Sequence, residues 1–306
     1  MKLYQEGRLD IDAPAFGYIE PLYHLNTGGS LVDVFGQMIR EVTPRQLLSM
    51  RGSIQEYDEF EYQMQHPLVD LGPFDTVKLF GQSFQGLQPG SCGVYSSMGF
   101  VLLGILLMDR SNVTRWEDYD QNVWGDEFKN IRFAKHGTCS EYTQVPGFCA
   151  RCEDAGHPVS NFSCTNGFTC GNMIAHPADV ARFVFRLFRA ELLNATTLAE
   201  MTQYRQLGTV GAINGANCTG YCDGCLYGLG IQAPSSGSAY PDVMFPGHSG
   251  ETYGFTTINA FDISRVAAYV GGIAIDVGGA SGVWYDIHDR LVLAARAGVE
   301  IFQIWS

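Results

Sequence analysis

Residues 89–108 read Pro89-Gly-Ser-Cys-Gly-Val-Tyr95-Ser-Ser97-Met-Gly-Phe-Val-Leu-Leu-Gly104-Ile-Leu-Leu-Met108, a loop that runs directly into an apolar stretch. Pro89-Gly90 is typical of a turn or loop. The apolar stretch, residues 98–108, is well short of the roughly 20 residues that cross a bilayer. It therefore predicts a buried helix and no membrane span.

Two further helices are predicted, one before this stretch and one after it. In Thr43-Pro-Arg-Gln-Leu-Leu-Ser49, Thr43 suits an N-cap and Pro44 suits the first helical position. Residues 177–189 carry apolar side chains at helical spacing, namely Val180, Phe183, Leu187 and Phe188. The first two thirds of the chain are thus predicted to be mostly helix and loop.

The last third changes to strand-forming sequence. Residues 227–232, 253–259 and 265–275 are rich in strand formers and are separated by turns, which predicts an antiparallel meander. A terminal helix is predicted over residues 283–297, where an apolar stripe would cover one face of the sheet. Helices first and strands later favour an α+β fold over alternating βαβ units.

The composition excludes a largely disordered chain. The protein has 306 residues, of which 46% are apolar, enough to form a substantial core. With 19 Lys and Arg against 32 Asp and Glu, the net charge is -13, and such a surface repels phosphate backbones and anionic lipid. We therefore expect no nucleic-acid partner. The oligomeric state cannot be inferred from the sequence.

Nine cysteines lie between Cys92 and Cys225, most of them in Gly/Asn/Thr-rich sequence without helical periodicity. Because such segments usually need covalent cross-links, we predict disulfides among Cys139, Cys149, Cys152, Cys164, Cys170, Cys218, Cys222 and Cys225. Two Cys-x-x-Cys pairs also have the ligand spacing of a zinc site, which is the weaker alternative. An odd number of cysteines leaves one thiol free or shared between chains. Cys92, apart from the others, is the candidate.

Four Asn-x-Ser/Thr sequons stand at Asn112, Asn161, Asn194 and Asn217. Together with the cysteines, they predict a glycosylated product of the eukaryotic secretory pathway, secreted or retained in its lumen. The first eight residues lack the charged, apolar and small-residue order of a signal peptide, so none is identified in this sequence.

Two stretches combine glycine, an aromatic ring and polar groups where a helix or a strand begins. One is the loop that carries Tyr95 and Ser97 to the start of the apolar helix. The other is Gly247-His-Ser-Gly250-Glu-Thr-Tyr-Gly254, which leads into a strand. Glycines there let a substrate approach the backbone, whose N–H groups could stabilise a developing oxyanion.

These stretches resemble the serine β-lactamase and penicillin-binding-protein-like superfamily, in particular its class C β-lactamase, D-aminopeptidase and esterase branch. Tyr95-Ser-Ser97 is similar to the Tyr-x-Asn motif, and His248-Ser-Gly250 to the His-x-Gly variant of Lys-Thr-Gly. Residues 3–14, 43–50 and 172–201 match non-catalytic landmarks in the family's order. The resemblance implies a β-lactamase/transpeptidase-like α+β fold, with an antiparallel sheet covered by helices and a mostly helical region that carries a cysteine-rich insertion.

The resemblance also implies the domain organisation. Residues 1–306 would form a single β-lactamase-related domain, with a helical region at 13–225, an insertion at about 136–172, and the sheet and C-terminal helix at 226–306. In the family, further strands and the Ser-x-x-Lys helix precede the segment that begins here at Met1. We therefore expect the sequence to be an N-terminally truncated form.

The family's motifs imply a role for each matching residue. Tyr95 would lie beside the acylating Ser and transfer protons, Ser97 would take the place of the family's Asn, and His248 would replace a Lys that orients substrate and supports the Tyr. The residues that bind substrate would follow in the same strand: Ser249, Gly250 and Glu251. The backbone N–H of Glu251 would supply half of an oxyanion hole. The acidic residues at 56–61 are interpreted as solvated surface.

The family's nucleophile, the Ser of Ser-x-x-Lys, is absent from this sequence. The four lysines stand at positions 2, 78, 129 and 135, and none has a serine three residues earlier. We therefore expect a β-lactamase-like serine hydrolase of small amides, peptides or esters that is inactive as this chain. The alternative is a non-catalytic extracellular binding or scaffold protein, a pseudoenzyme. No cofactor and no metal are expected.

Overall fold

The computed structural model describes residues 1–83, 87–142, 146–149, 157–171, 173–208, 212–213, 216–217, 225–233, 245–252, 254–273 and 275–276. The helix predicted over 283–297 lies outside these ranges. The α-helices of the described residues are α1 (Lys2–Gln5), α2 (Phe16–Thr27), α3 (Leu31–Phe35), α4 (Pro44–Leu48), α5 (Phe60–Gln65), α6 (Pro73–Phe80), α7 (Ser97–Arg110), α8 (Pro177–Phe188) and α9 (Ala195–Met201). Short 3-10 helices span Gln37–Glu41, Trp116–Asp118, Asp126–Phe128, Cys139–Glu141 and Phe168–Cys170.

The strands are mostly short and form five small sheets among the described residues. They are β1 (Arg132–Phe133), β2 (Phe148–Cys149), β3 (His157–Pro158), β4 (Met173–Ile174), β5 (Arg205–Gln206), β6 (Ala212–Ile213), β7 (Ala216–Asn217), β8 (Leu226–Tyr227), β9 (Gly247–Thr252), β10 (Phe255–Asp262), β11 (Ala267–Ile273) and β12 (Ile275–Asp276). The longest three form one antiparallel sheet in the order β11-β10-β9, which confirms the pairing of the predicted strands 253–259 and 265–275. The prediction that 227–232 is the third strand of this meander is wrong: that place is taken by β9, and the segment contributes only β8, which pairs with β5. The other sheets are β1-β4, β12-β2-β3, β5-β8 and β6-β7.

Helix α7 lies at the centre of the hydrophobic core, as the apolar stretch predicts. Met98, Val101, Leu102 and Ile105 have no exposed surface, and α7 packs against α2, α4 and α6. Burying one aliphatic side chain of this size stabilises a fold by about 1.5–3 kcal/mol. Because α7 begins at Ser97, this packing also fixes the position of the residues just before the helix.

Helix α4 begins at the predicted residue. Thr43 Oγ1 accepts a hydrogen bond from Gln46 N at 3.2 Å, and Gln46 Oε1 accepts one from Thr43 N at 3.0 Å. This reciprocal pair is a capping box, with Pro44 at the start of the helix. Leu47 is buried against α7, so α4 is held both at its end and along its inner face.

Helix α8 covers one face of the β9–β11 sheet. The rings of Phe188 and Phe261 stack with centroids 4.9 Å apart, and Phe185 meets the edge of Phe261 at 6.4 Å. Phe261 lies in β10 and is only 4% exposed. The contact joins the helical region to the sheet.

The cysteine-rich insertion packs against α7. Its ends are closed by pairing of β1 with β4, and the Phe168 ring lies 4.4 Å from the Trp116 ring. A Cβ added to Gly104 of α7 would lie 2.2 Å from Thr169 Oγ1. Glycine at this position therefore allows the turn at Phe168–Cys170 to approach the helix.

A disulfide closes part of the insertion. Cys139 and Cys164 are bonded, with Cα atoms 4.6 Å apart. Three more cysteines are disulfide-bonded: Cys92, Cys149 and Cys225. The prediction that Cys92 is the free thiol is therefore wrong, because its isolation in sequence does not describe its position in the fold. Cys152, Cys218 and Cys222 lie outside the described residues.

Cys170, predicted to be disulfide-bonded, instead carries a free thiol. Its Sγ lies within hydrogen-bond distance of the Gly167 carbonyl, at 2.6 Å, and of the Tyr57 hydroxyl, at 3.4 Å. Burial raises the pKa of this thiol to about 12. The prediction is wrong because the thiol is enclosed in the turn that packs on α7, where these two groups are its partners.

The described residues contain neither a helix that could span a membrane nor a cluster of side chains that could hold a metal ion. Within the described ranges, no helix is long and apolar enough to span a membrane. No group of three or more His, Cys, Asp or Glu side chains that could hold a metal ion occurs in the same part of the chain. One cysteine of each Cys-x-x-Cys pair lies outside it.

Candidate active site

The first motif lies where the loop enters the buried end of α7. Ser96 is the N-cap residue of α7, and its hydroxyl donates to the Gln55 carbonyl at 3.2 Å. Val94 N donates to the Met50 carbonyl at 2.8 Å. These bonds tie the motif to the segment after α4, and Tyr95 packs against the cluster of Met50, Leu207 and Tyr227.

The second motif forms strand β9. His248 is in register with Asn259 of β10, and Asn259 Nδ2 donates to the His248 carbonyl at 3.1 Å. A Cβ on Gly247 would lie 1.9 Å from the Asn259 carbonyl oxygen, so this close approach of the two strands requires glycine. A short bridge between Gln232 and Gly247 holds the start of β9 on its other side.

Three rings bring the two motifs together. Tyr95 and His248 have ring centroids 6.5 Å apart, and Tyr95 meets the edge of Tyr227 at 6.1 Å. Tyr227 and His248 also meet edge to face, with centroids 5.8 Å apart. Residues from the start of α7, from β8 and from β9 thus form one aromatic cluster, which we call the Tyr95–Tyr227–His248 cluster.

Both nitrogens of the His248 ring are hydrogen-bonded. Nδ1 lies against the Ser249 carbonyl, and Nε2 lies 3.0 Å from the Tyr227 hydroxyl. Burial lowers the pKa of His248, an effect that the bond to Ser249 partly opposes. Burial also raises the pKa of Tyr227 well above its ordinary value. Both groups are therefore uncharged near neutral pH.

Ser97 is bound to a carboxyl group. Glu56 Oε2 accepts hydrogen bonds from Ser97 N at 2.8 Å and from Ser97 Oγ at 3.0 Å. Burial raises the pKa of Glu56, and the bonds from Ser97 and from Tyr57 N act in the opposite direction. The interpretation of residues 56–61 as solvated surface is wrong for Glu56, and also for Glu59, which is 5% exposed. Long-range packing decides the burial of these two carboxyl groups.

The remaining predicted site residues follow His248 in β9. The Ser249 hydroxyl donates to Gln232 Oε1 at 3.3 Å. Gly250 is in register with Thr257 and Glu251 with Thr256, and both β9 residues are partly buried. The three residues therefore follow His248 along one strand, with side chains that alternate between its two faces.

The beta-lactamase family profile matches residues 1–275 of this sequence. The chain belongs to the beta-lactamase family.

Solved structures support the fold of this beta-lactamase family member. A D-stereospecific amidohydrolase from Streptomyces sp. matches with a TM-score of 0.72 at 20% identity, over 97% of this chain and 82% of that protein. The D-amino acid amidase from Ochrobactrum anthropi SV3 gives 0.63 at 18% identity, over 94% and 92%. An octameric penicillin-binding protein homologue from Pyrococcus abyssi gives 0.66 at 19% identity, over 98% and 63%. At these identities the likeness shows the fold.

Three residues that contact the predicted site residues were not predicted from the sequence: Glu56, Tyr227 and Gln232. Tyr227 opens a segment that was predicted only as a strand, and Gln232 ends that segment. Glu56 was assigned to the surface from its charge. The closeness of Tyr227-Gly-Leu-Gly to the His248 motif along the chain is the one signal that could have indicated Tyr227.

The predicted glycosylation sites differ in their surroundings. Asn112 and Asn161 are exposed. Asn194 is also exposed, but its side chain accepts a hydrogen bond from Thr197 N as the N-cap of α9. Asn217 lies in β7, and its side chain lies outside the described residues.

Proposed function

We propose that this chain carries the substrate-binding part of a β-lactamase-like serine hydrolase site for a small amide, peptide or ester. The observation that supports the proposal is the contact between its two motifs. Tyr95 precedes α7 and His248 lies in β9, yet their ring centroids are 6.5 Å apart. Both residues stand in stretches that resemble motifs of the serine β-lactamase superfamily, and the chain belongs to the beta-lactamase family.

Each residue has a role in this proposal. Tyr95 would transfer protons at the reacting group. The Glu251 N–H would stabilise a developing oxyanion. Ser97 Oγ donates its hydrogen to Glu56, so toward a substrate it can only accept a hydrogen bond. An acceptor at this point suits a ligand with an N–H group, such as an amide.

We further propose that the chain in this form binds without forming an acyl-enzyme. The family's acyl-enzyme route needs the Ser and Lys of Ser-x-x-Lys, and the sequence holds no such motif. Tyr95 and Ser97 then have no acylated serine to serve. The remaining site would still bind a ligand, because binding uses the strand and the aromatic cluster.

A binding and mass experiment tests both parts. D-phenylalanine amide is a suitable probe, because the related amidase was solved with D-phenylalanine and with L-phenylalanine amide. We expect saturable binding by calorimetry, and no mass increase after incubation with a fluorescent penicillin. His248→Ala should weaken binding at least about tenfold, the loss of about 1.4 kcal/mol.

The matched control is His24→Ala. His24 is exposed on α2, and its ring bonds only the Gly29 carbonyl among the described residues, so His24→Ala should leave binding unchanged. Equal weakening by both substitutions, or no saturable binding at all, would contradict the binding site. A covalent penicilloyl adduct would contradict the absence of acylation.

The second candidate function is a non-catalytic extracellular binding or scaffold protein. The absence of Ser-x-x-Lys from the sequence favours it. Mapping the N-terminus of the native protein by mass spectrometry separates the two candidates. A native chain that contains an upstream in-frame Ser-x-x-Lys and hydrolyses the amide favours the hydrolase, and a native chain without it favours the pseudoenzyme.

We also propose that the protein passes through the secretory pathway and is glycosylated at the exposed sequons. The sequons and the disulfide between Cys139 and Cys164 support this, since disulfides persist in oxidising compartments. Treatment of the native protein with a peptide N-glycosidase should lower its mass and convert the modified Asn112 and Asn161 to Asp. An unchanged mass would contradict the proposal.

A further inference from the structure

We propose that Tyr227 is a positioning residue that fixes the tautomer and the neutral state of His248. This inference rests on the proposed function, because it concerns the same site. It deepens that function by assigning to His248 a role different from that of the Lys which the family's Lys-Thr-Gly motif has at the matching position.

Hydrogen-bond chemistry determines the direction of both bonds to the ring. A carbonyl oxygen can only accept, so the short contact between His248 Nδ1 and the Ser249 carbonyl places the hydrogen on Nδ1. In a neutral imidazole the other nitrogen then has a lone pair and no hydrogen. Tyr227 must therefore donate its hydroxyl hydrogen to Nε2, across 3.0 Å.

Tyr227 is held rigidly enough to do this. It is 2% exposed and lies in β8, in register with Arg205 of β5. Cys225, two residues earlier, is disulfide-bonded, and its carbonyl accepts a hydrogen bond from Leu207 N at 2.7 Å. The Tyr227 ring also contacts His248 and Tyr95 edge to face. Strand pairing, a cross-link and ring packing thus fix the phenol before any ligand arrives.

The arrangement favours a neutral histidine. Protonating His248 would place a hydrogen on Nε2, and Tyr227 would then have to reverse its bond and accept rather than donate. Burial of both groups makes the charged form costly as well, in agreement with the lowered pKa of His248. His248 therefore offers neither a positive charge nor a ring N–H to the cleft. Its ring fills space in the site, and its acceptor nitrogen, Nε2, is already bonded to the Tyr227 hydroxyl.

The neutral state of His248 affects which ligands the site can bind through charge. In this site His248 does not supply the charge that a lysine would offer to a carboxylate. The carboxyl group of Glu56 is bonded to Ser97, at the other end of the Tyr95-Ser-Ser97 motif. We therefore infer that the site binds an uncharged amide in preference to a ligand that depends on its carboxylate.

Nitrogen-detected NMR of the full chain tests the proposal directly. Long-range ¹H–¹⁵N spectra distinguish a protonated ring nitrogen from an acceptor nitrogen, and the resonance that disappears in His248→Ala identifies the residue. In the wild-type protein at pH 7 we expect Nδ1 protonated and Nε2 an acceptor. In Tyr227→Phe we expect part of the population to move to the Nε2–H tautomer and the pKa of His248 to rise.

Tyr204→Phe is the control. Tyr204 carries a buried hydroxyl without a partner among the described residues, so removing it should leave the His248 spectrum unchanged. A wild-type His248 with hydrogen on Nε2 would overturn the proposal even if Tyr227→Phe does not fold. Unchanged His248 nitrogen shifts in a folded Tyr227→Phe protein would also overturn it.

The same samples separate this proposal from the proposed function. A wild-type spectrum with the expected tautomer that depends on Tyr227, but no binding of D-phenylalanine amide, would support the positioning role and contradict the binding function. Binding of D-phenylalanine amide by a protein whose His248 tautomer does not respond to Tyr227→Phe would support the binding function and contradict the positioning role.

The preference for an amide is tested by comparing two ligands. Replacing the amide by a carboxylate, as in D-phenylalanine, should weaken binding at least severalfold. Equal or tighter binding of D-phenylalanine would contradict the inferred preference.

Discussion

The buried carboxyl group of Glu59 should make the stability of the fold depend on pH. Glu59 is 5% exposed, and its Oε2 has no hydrogen-bond partner among the described residues. Burial raises its pKa from 4.5 to about 7, although the Gly167 N–H acts in the opposite direction. The side chain lies beside the turn of the insertion that packs on α7. Glu59→Gln keeps the shape of this side chain and removes its titration.

The sign follows from proton binding. Between pH 4.5 and about 7 the folded state keeps a proton that the unfolded state releases, so raising the pH favours unfolding. The free energy of unfolding is therefore highest, as far as Glu59 is concerned, below pH 4.5. This contribution is lost as the pH rises through about 7. The difference between the two pKa values corresponds to about 3 kcal/mol.

Urea unfolding of the oxidised protein at pH 5 and pH 8 measures this effect. We expect Glu59→Gln to be more stable than wild type at pH 8 by up to about 3 kcal/mol, and by clearly less at pH 5. Glu61→Gln is the control, since Glu61 is exposed in α5, the helix that begins just after Glu59, and should follow wild type at both values. If wild type and Glu59→Gln changed equally between the two pH values, the assignment of a buried, titrating Glu59 would be refuted.

Three further outcomes follow from the structure. Thr43→Ala removes the capping box of α4 and should lower the free energy of unfolding by about 1 kcal/mol, measured by urea unfolding; no loss would contradict the cap. Tyr227→Phe should cost about 1 kcal/mol in the same assay because it breaks the bond to His248, whereas Tyr204→Phe should be neutral or stabilising; the reverse order would contradict the bond. Cys139→Ser opens the Cys139–Cys164 loop, with a sequence separation of 25, and should cost roughly 3 kcal/mol; an unchanged unfolding midpoint without reductant would argue against this pairing.

Elements with strong local signals could be predicted from the sequence. The buried helix α7 follows from its continuous apolar stretch, and the start of α4 follows from Thr43 and Pro44. The pairing of β10 with β11 follows from strand formers separated by a turn, whereas β9 took the place that was predicted for residues 227–232. In each case neighbouring residues determine the outcome. The Tyr95 and His248 motifs were likewise identified because each is a short, contiguous pattern.

Features that depend on distant partners could not be predicted. Glu56 and Glu59 stand in a segment rich in acids, yet Glu56 is partly buried and bonded to Ser97, and Glu59 is buried beside the turn at Gly167. Cys170 is free because of its place in the same turn, which spacing does not reveal. The bond between Tyr227 and His248 joins two strands whose relative position is set by the bridge at Gln232. The sequence shows which residue types are present, but their partners depend on tertiary packing.

A double-mutant cycle on ligand binding tests the central claim, that Tyr95 and His248 form one site, most directly. Dissociation constants of D-phenylalanine amide are measured for wild type, Tyr95→Ala, His248→Ala and the double variant. We expect the two losses to be non-additive, with a coupling energy of about 0.5–3 kcal/mol, as for residues in contact around one ligand. Losses that add to within about 0.3 kcal/mol, or single variants that bind as well as wild type, would contradict it.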